Sequence, residues 1–112
     1  MNEIKLKRLE SLAQRELSLW VLNRSKDDAL KEVSITAIEI TNDLSYMTIY
    51  YNLYSKDKKD EFAQILEKRK PEIRAYLASK IKARKMPELI FKYDVSIDYG
   101  NHIENLIKKI KE

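Results

Sequence analysis

Apolar residues recur at helical spacing from the start of this chain. Leu6, Leu9, Leu12, Ala13, Leu17 and Trp20 follow one another mostly at steps of three and four, with no Gly or Pro between them. This predicts an amphipathic helix over residues 4–24, with Arg8, Arg15 and Glu16 mostly off its apolar stripe. The polar run 23–28 reads as a connection. The period then changes. Residues 33–41 are β-branched and alternating, which predicts a strand. Its phase shifts near Ala37 and Ile38, the mark of a bulge or of a strand buried on both faces. Asn42-Asp43-Leu44-Ser45 is a turn signal. Residues 46–54 complete an antiparallel hairpin. Met47, Ile49, Tyr51 and Leu53 point one way along it; Tyr46, Thr48, Tyr50, Asn52 and Tyr54 point the other.

Residues 55–60 form a solvated link and a helix start. Phe62, Ala63, Ile65 and Leu66 give a helical apolar face as far as Lys68. Pro71 removes a donor and disfavours helical geometry at Lys70, and the pattern resumes at Ile73, Tyr76, Leu77 and Ile81. Two helices joined by a kink are expected, with Pro71 at the first position of the second. Residues 88–97 predict a third strand, with Leu89, Phe91, Tyr93, Val95 and Ile97 on one face. Asp98 suits the cap of a last helix striped by Ile103, Leu106, Ile107 and Ile110. The order is α-β-β-α-kink-α-β-α: an α+β fold, a single domain over 1–112, with helices packed on one face of a three-stranded sheet.

Composition narrows the chemistry. The 112 residues include no Cys, one His (His102) and one Gly (Gly100). A disulfide framework, a thiol nucleophile, a thiolate zinc site and a Gly-rich phosphate loop are thereby excluded. Asp43, Asp94 and Asp98 could suggest a hydrolytic carboxylate or hard-metal site, but turn and cap roles account for all three. No metal, no cofactor and no enzyme activity are expected. The charged N-terminus lacks the apolar core of a signal peptide, and no apolar run could span a bilayer, so a cytoplasmic protein off the membrane is expected.

The net charge of +4 is unevenly distributed. Residues 68–85 carry Lys68, Arg69, Lys70, Arg74, Lys80, Lys82, Arg84 and Lys85 against Glu72 alone, which is +7 and leaves −3 for the rest. On a helix, Arg74, Ala78, Lys82 and Lys85 would share a narrow arc. A helix N-terminus after Pro71 would add free N–H donors. Because the signs are segregated, few i,i+4 ion pairs are expected. This is the footprint of a nucleic-acid-binding face. A merely solvated face, an acidic protein or a membrane surface would also accept such charge. Tyr46, Tyr50 and Tyr54 form a row that could stack unpaired bases or dock a protein, although outward tyrosines more often pack on their neighbours.

Residues 38–50, Ile-Glu-Ile-Thr-Asn-Asp-Leu-Ser-Tyr-Met-Thr-Ile-Tyr, resemble the hairpin signature of the bacterial ribosome-binding factor A family. So does Pro87-Glu88-Leu89-Ile90-Phe91-Lys92-Tyr93-Asp94-Val95-Ser96, followed by Gly100, Ile103 and Leu106 at the family's spacing. Gln14-Arg15-Glu16-Leu17, Lys26-Asp27, Leu30, Ile73-Arg74 and Leu77 match as well, so the resemblance covers nearly the whole chain. It implies a type II KH-like fold. It further implies a non-enzymatic factor that binds free or immature 30S small ribosomal subunits, assists late assembly and maturation of the 5′ end of 16S rRNA, and is associated with growth in the cold. The implied partners are the small subunit, with 16S rRNA and its precursor, and ribosomal proteins; a monomer is expected. The alternative is a KH-like protein-interaction module that docks a ribosomal protein or an assembly GTPase.

The sequence departs from ordinary KH domains and from the family pattern in several places. With one Gly, the Gly-x-x-Gly loop of ordinary KH domains cannot form. The family's Ala-x-Gly kink corresponds here to Arg69-Lys70-Pro71, and a Pro-Arg pair and an Arg of the pattern are replaced by Asp28-Ala29 and Asn42. With Glu112 as the last residue, the long charged tail of some members is not expected. The expected RNA-binding residues are therefore Lys68, Arg69, Lys70, Arg74, Lys80, Lys82, Arg84 and Lys85, with Lys26, Tyr46 and Tyr50 as secondary contacts.

Overall fold

The computed structural model describes residues 2–23, 30, 32–83 and 85–96. The expected last helix, with Asp98, Gly100 and His102, lies outside the described residues, as do Lys26 and Arg84. The elements are α1 (Glu3–Asn23), β1 (Val33–Ile40), β2 (Tyr46–Leu53), α2 (Lys59–Lys80) and β3 (Glu88–Tyr93), with a short 3-10 turn at Lys56–Lys58. The sheet order is β1-β2-β3. β1 runs antiparallel to β2, and β3 parallel to β2, so α2 is the crossover that a parallel pair requires. This is the expected α+β architecture, with α1 packed on β1 and α2 on β3.

The phase shift in β1 is a bulge. Ile35 pairs with Tyr51 and Ala37 with Tyr50, which leaves Thr36 as the extra residue. The bulge keeps Val33 and Ile35 on the same face as Ile38 and Ile40, although the intervals are odd. That face joins Met47, Ile49, Leu53 and Leu89 to Leu17, Trp20, Phe62, Leu66, Ile73 and Leu77 from the helices, all buried. Each such side chain contributes about 1.5–3 kcal/mol of burial.

β1 is an edge strand, and α1 closes it with two polar side chains one turn apart. The Ile40 N–H donates to Glu10 Oε2 at 2.8 Å. Gln14 Nε2 donates to the carbonyls of Ile35 (3.4 Å) and Thr36 (3.3 Å), the carbonyls turned outward at the bulge. Leu12, expected in the apolar stripe, is instead 37% exposed, because it lies on the flank away from the core.

The hairpin turn is built from side chains. The Thr41 hydroxyl oxygen accepts from the N–H of Ser45 and of Tyr46, each at 3.0 Å, and donates to Asp43 Oδ1 at 2.9 Å. The Ser45 N–H also donates to Asp43 Oδ1, at 3.1 Å. Leu44 has φ +60, the left-handed region that a non-Gly residue avoids, yet its side chain is buried. Anchoring in the core holds the backbone there.

Two expectations need correction. α2 is one continuous helix through Pro71, not two helices. Proline removes a single hydrogen bond and adds local strain, about 3 kcal/mol in a helix interior. Leu66 before it and Ile73 and Leu77 after it are all buried against the same core, and their burial outweighs that loss. Second, β3 ends at Tyr93, and Val95 is 62% exposed. Asp94 turns the chain: its Oδ1 accepts from the Ser96 N–H at 3.0 Å and the Ser96 hydroxyl at 2.5 Å. Asn52, on the other side of β2 from Tyr51 and Leu53 as expected, is buried. Its amide donates to the Asp94 carbonyl at 2.9 Å, and its oxygen accepts from the Lys56 ammonium. The Thr36 hydroxyl donates to Asp94 Oδ2 at 2.7 Å, so the bulge, β2 and the end of β3 meet on this one residue.

Candidate nucleic-acid interface

Two of the predicted cationic residues sit in mid-helix and diverge. Arg69 and Lys70 lie about 100° apart on α2. Arg69 is half-buried and lies 3.9 Å from Glu72. Lys70 turns toward β3, with its ammonium 2.8 Å from Glu67 and 5.8 Å from the Phe91 ring centre. Both pairs have i,i+3 spacing, which the expected scarcity of i,i+4 pairs does not cover. The unbroken helix also removes the N-terminus expected after Pro71, so no cluster of free N–H donors forms there.

Arg74 is tied to the fold. Its Nη2 donates to the Met86 carbonyl at 3.0 Å and its Nε to the Pro87 carbonyl at 3.4 Å. The guanidinium thus clasps the segment entering β3, whose first N–H, that of Glu88, donates to the Ser45 carbonyl at 3.0 Å.

The helical arc expected for Arg74, Lys82 and Lys85 does not form, because α2 ends at Lys80. Ile81 is extended, at φ −100 and ψ 118, and its N–H closes the helix on the Leu77 carbonyl at 2.8 Å. Ile81 and Pro87 are buried, and Ala83 and Met86 pack partly on the core. A helix continued to Lys85 would leave two residues to bring the chain back to β3. The linker instead alternates: Ile81 and Ala83 inward, Lys82 outward, with Lys85 outward ahead of Met86.

Lys80, Lys82 and Lys85 are exposed together around the C-terminal end of α2, where unpaired carbonyls also favour cations. The Lys80 ammonium lies 5.8 Å from the Tyr76 ring centre. Lys68 is exposed further back along the helix, ahead of Pro71. Lys68, Lys82 and Lys85 form no ion pair among the described residues. The predicted basic patch thus divides into a paired half-buried set, a structural clasp and an exposed set of lysines.

The tyrosine row is real but mixed. Tyr46 is 47% exposed and Tyr54 88% exposed, while Tyr50 is half-buried and donates to Glu39 Oε2 at 3.2 Å. Loss of solvent, then the hydrogen bond and charge of Glu39, raise the Tyr50 phenol above its ordinary value. Tyr46 pairs with Glu88 across the sheet. Carboxylates beside both rings disfavour a phosphate backbone on this face. Asp43 and Asp94 hold turns, as their sequence contexts suggest. Among the described residues no three His, Cys, Asp or Glu gather where a cation would be held, and no helix is long and apolar enough to cross a membrane. Sequence reasoning missed the tie from Arg74 to the linker and the Asn52–Asp94–Thr36 network; an Asn inside an aromatic strand was the available signal for the second.

Comparison with known proteins bears on the family and the fold. Residues 5–107 match the family model described as ribosome-binding factor A. A ribosome-binding factor A of Lactobacillus gasseri is 44% identical over 107 residues, 94% of this chain and 87% of the relative. One from Phytoplasma mali is 40% identical over 110 residues, 94% of this chain and 95% of the relative. The crystal structure of ribosome-binding factor A from Thermus thermophilus superposes with a TM-score of 0.70 at 20% identity, covering 79% of this chain and 94% of that one. Coordinates of the Thermus thermophilus factor fitted into a cryo-EM map of a 30S complex superpose at 0.64, with 20% identity, over 79% of this chain and 93% of that one. By sequence over nearly its whole length and by fold, this chain belongs to the ribosome-binding factor A family.

Proposed function

We propose that this protein binds the small ribosomal subunit and assists its late assembly, including maturation of 16S rRNA. The match of residues 5–107 to the ribosome-binding factor A family carries this reading. The exposed lysines support it. Lys80, Lys82 and Lys85, with Lys68 further along α2, are the phosphate contacts; Arg84 and Lys26 extend the set by sequence. Arg69, Lys70 and Arg74 serve the fold first, and Tyr46 and Tyr50 are left out of the RNA set. The protein acts without a reaction of its own, as a cytoplasmic monomer that recognises the shape and charge of the RNA.

Lys82→Glu with Lys85→Glu tests this. Both side chains are exposed, so the fold is retained. Co-sedimentation with small subunits falls, and the dependence of log K on log salt flattens by roughly 0.7–0.9 for each phosphate no longer neutralised. Unchanged co-sedimentation removes the linker lysines from the interface. Normal subunit assembly and normal 16S precursor levels in cells lacking the protein overturn the wider reading.

A further inference from the structure

α1 has a second apolar stripe, opposite the one it buries. At about 100° per residue, Ile4, Arg8, Leu12, Arg15, Leu19 and Leu22 fall within an arc of roughly 80°, and Ile4 to Leu22 spans about 27 Å along the axis. All six are exposed: Ile4 at 65%, Leu12 at 37%, Leu19 at 39% and Leu22 at 69% among the apolar ones. Half of the exposed large apolar side chains among the described residues lie on this one line. Solubility alone gives no reason for them to be collected there.

The charge on the stripe has one sign. The carboxylates of α1 all lie off it and have other partners: Glu3 is 3.9 Å from Lys7, Glu10 accepts from Ile40 and Glu16 accepts from Tyr76. Arg8 and Arg15 are left two turns apart, between leucines. At its C-terminal end the stripe meets a partly open cavity of about 450 Å³, lined by Ser18, Val21, Leu22, Val33 and Ile35 among others.

We propose that this stripe is a docking surface for an acidic amphipathic helix of another protein, laid along α1 with its leucines between the arginines and its carboxylates on Arg8 and Arg15. A second copy of this chain does not fit. Antiparallel self-pairing that brings Ile4 against Leu19 also brings Arg8 against Arg15, and like charges face each other. RNA fits poorly, because phosphates would meet the two arginines while four apolar side chains gained nothing. The inference is independent of the lysines at the end of α2.

The test uses the full chain and two synthetic helical peptides with leucines at the same heptad positions, one bearing Glu and the other Lys at the flanking positions. Saturable binding of the Glu peptide is expected, with NMR amide shifts confined to α1 and the cavity. Arg8→Glu with Arg15→Glu weakens the Glu peptide by about tenfold or more and gains the Lys peptide, a swap that a misfolded variant could not produce. Lys82→Glu with Lys85→Glu leaves peptide binding unchanged, which separates this surface from the RNA reading. Equal binding of both peptides, shifts away from α1, self-association through the stripe, or displacement of the Glu peptide by a single-stranded RNA oligonucleotide overturns the proposal.

Discussion

The guanidinium of Arg74 holds the main-chain oxygen of Met86 at 3.0 Å. A residue that reads in sequence as a phosphate contact is the clasp between α2 and the segment that enters β3. Arg74→Ala therefore lowers stability by about 1–2 kcal/mol, the worth of a charge-assisted bond discounted for partial exposure. Arg74→Lys recovers little, since one ammonium cannot serve the Met86 and Pro87 carbonyls as a planar fork does. Urea unfolding checks both. Native stability in Arg74→Ala with weakened subunit binding would return Arg74 to the RNA interface.

Thr36 and Asn52 lie on different strands but share Asp94. Thr36→Val and Asn52→Ala should each cost about 1–2 kcal/mol. The double variant should depart from the sum by at least about 0.5 kcal/mol, because the second loss falls on an already loosened Asp94. Strict additivity in denaturant unfolding would mean that the three residues do not act as a unit.

Leu44 sets backbone strain against burial. Leu44→Gly relieves about 1 kcal/mol of left-handed strain and removes a buried side chain worth about 2–3 kcal/mol. The variant should lose about 1–2 kcal/mol in thermal or urea unfolding. A more stable variant would show that the turn, not the core, dominates at this position.

Asp43 gives the turn a pH dependence. The Ser45 hydroxyl first, then the Thr41 hydroxyl and the Ser45 N–H, hold its carboxyl below the ordinary range. A lowered native pKa means stabilisation present above the unfolded value, about 4, and lost as pH falls toward the native one. NMR shifts of Ser45 and Tyr46 should therefore change below about pH 4 and stay flat above it. In Asp43→Asn this acid step should vanish while the fold persists at neutral pH.

The patterns that hydrophobic periodicity encodes were legible. α1 and both hairpin strands follow from spacing, because a buried face imposes its period on the sequence; the phase shift in β1 marked the place of the bulge, and only the pairing register told it from a strand buried on both faces. Pro71 misleads for the opposite reason. Its cost is local and visible in the sequence, while the burial of Leu66, Ile73 and Leu77 that offsets it is tertiary. The end of α2 is hidden in the same way, since nothing near Lys80 breaks a helix and only the need to return to β3 stops it there. The charge run was counted correctly as a composition. Which cations were free could not be read from it, because Arg74 is committed by carbonyls twelve and thirteen positions away.

The cover that Glu10 and Gln14 lay over β1 also has a meaning in time. α1 precedes β1 in the chain, so during synthesis the helix leaves the ribosome before the strand it guards. When Ile40 and the bulge carbonyls emerge, their hydrogen-bonding partners are already made. An open strand edge is a template for pairing with other nascent chains. Here chain order supplies the chaperone for that edge, and moving α1 behind β1 in the chain would lose that protection.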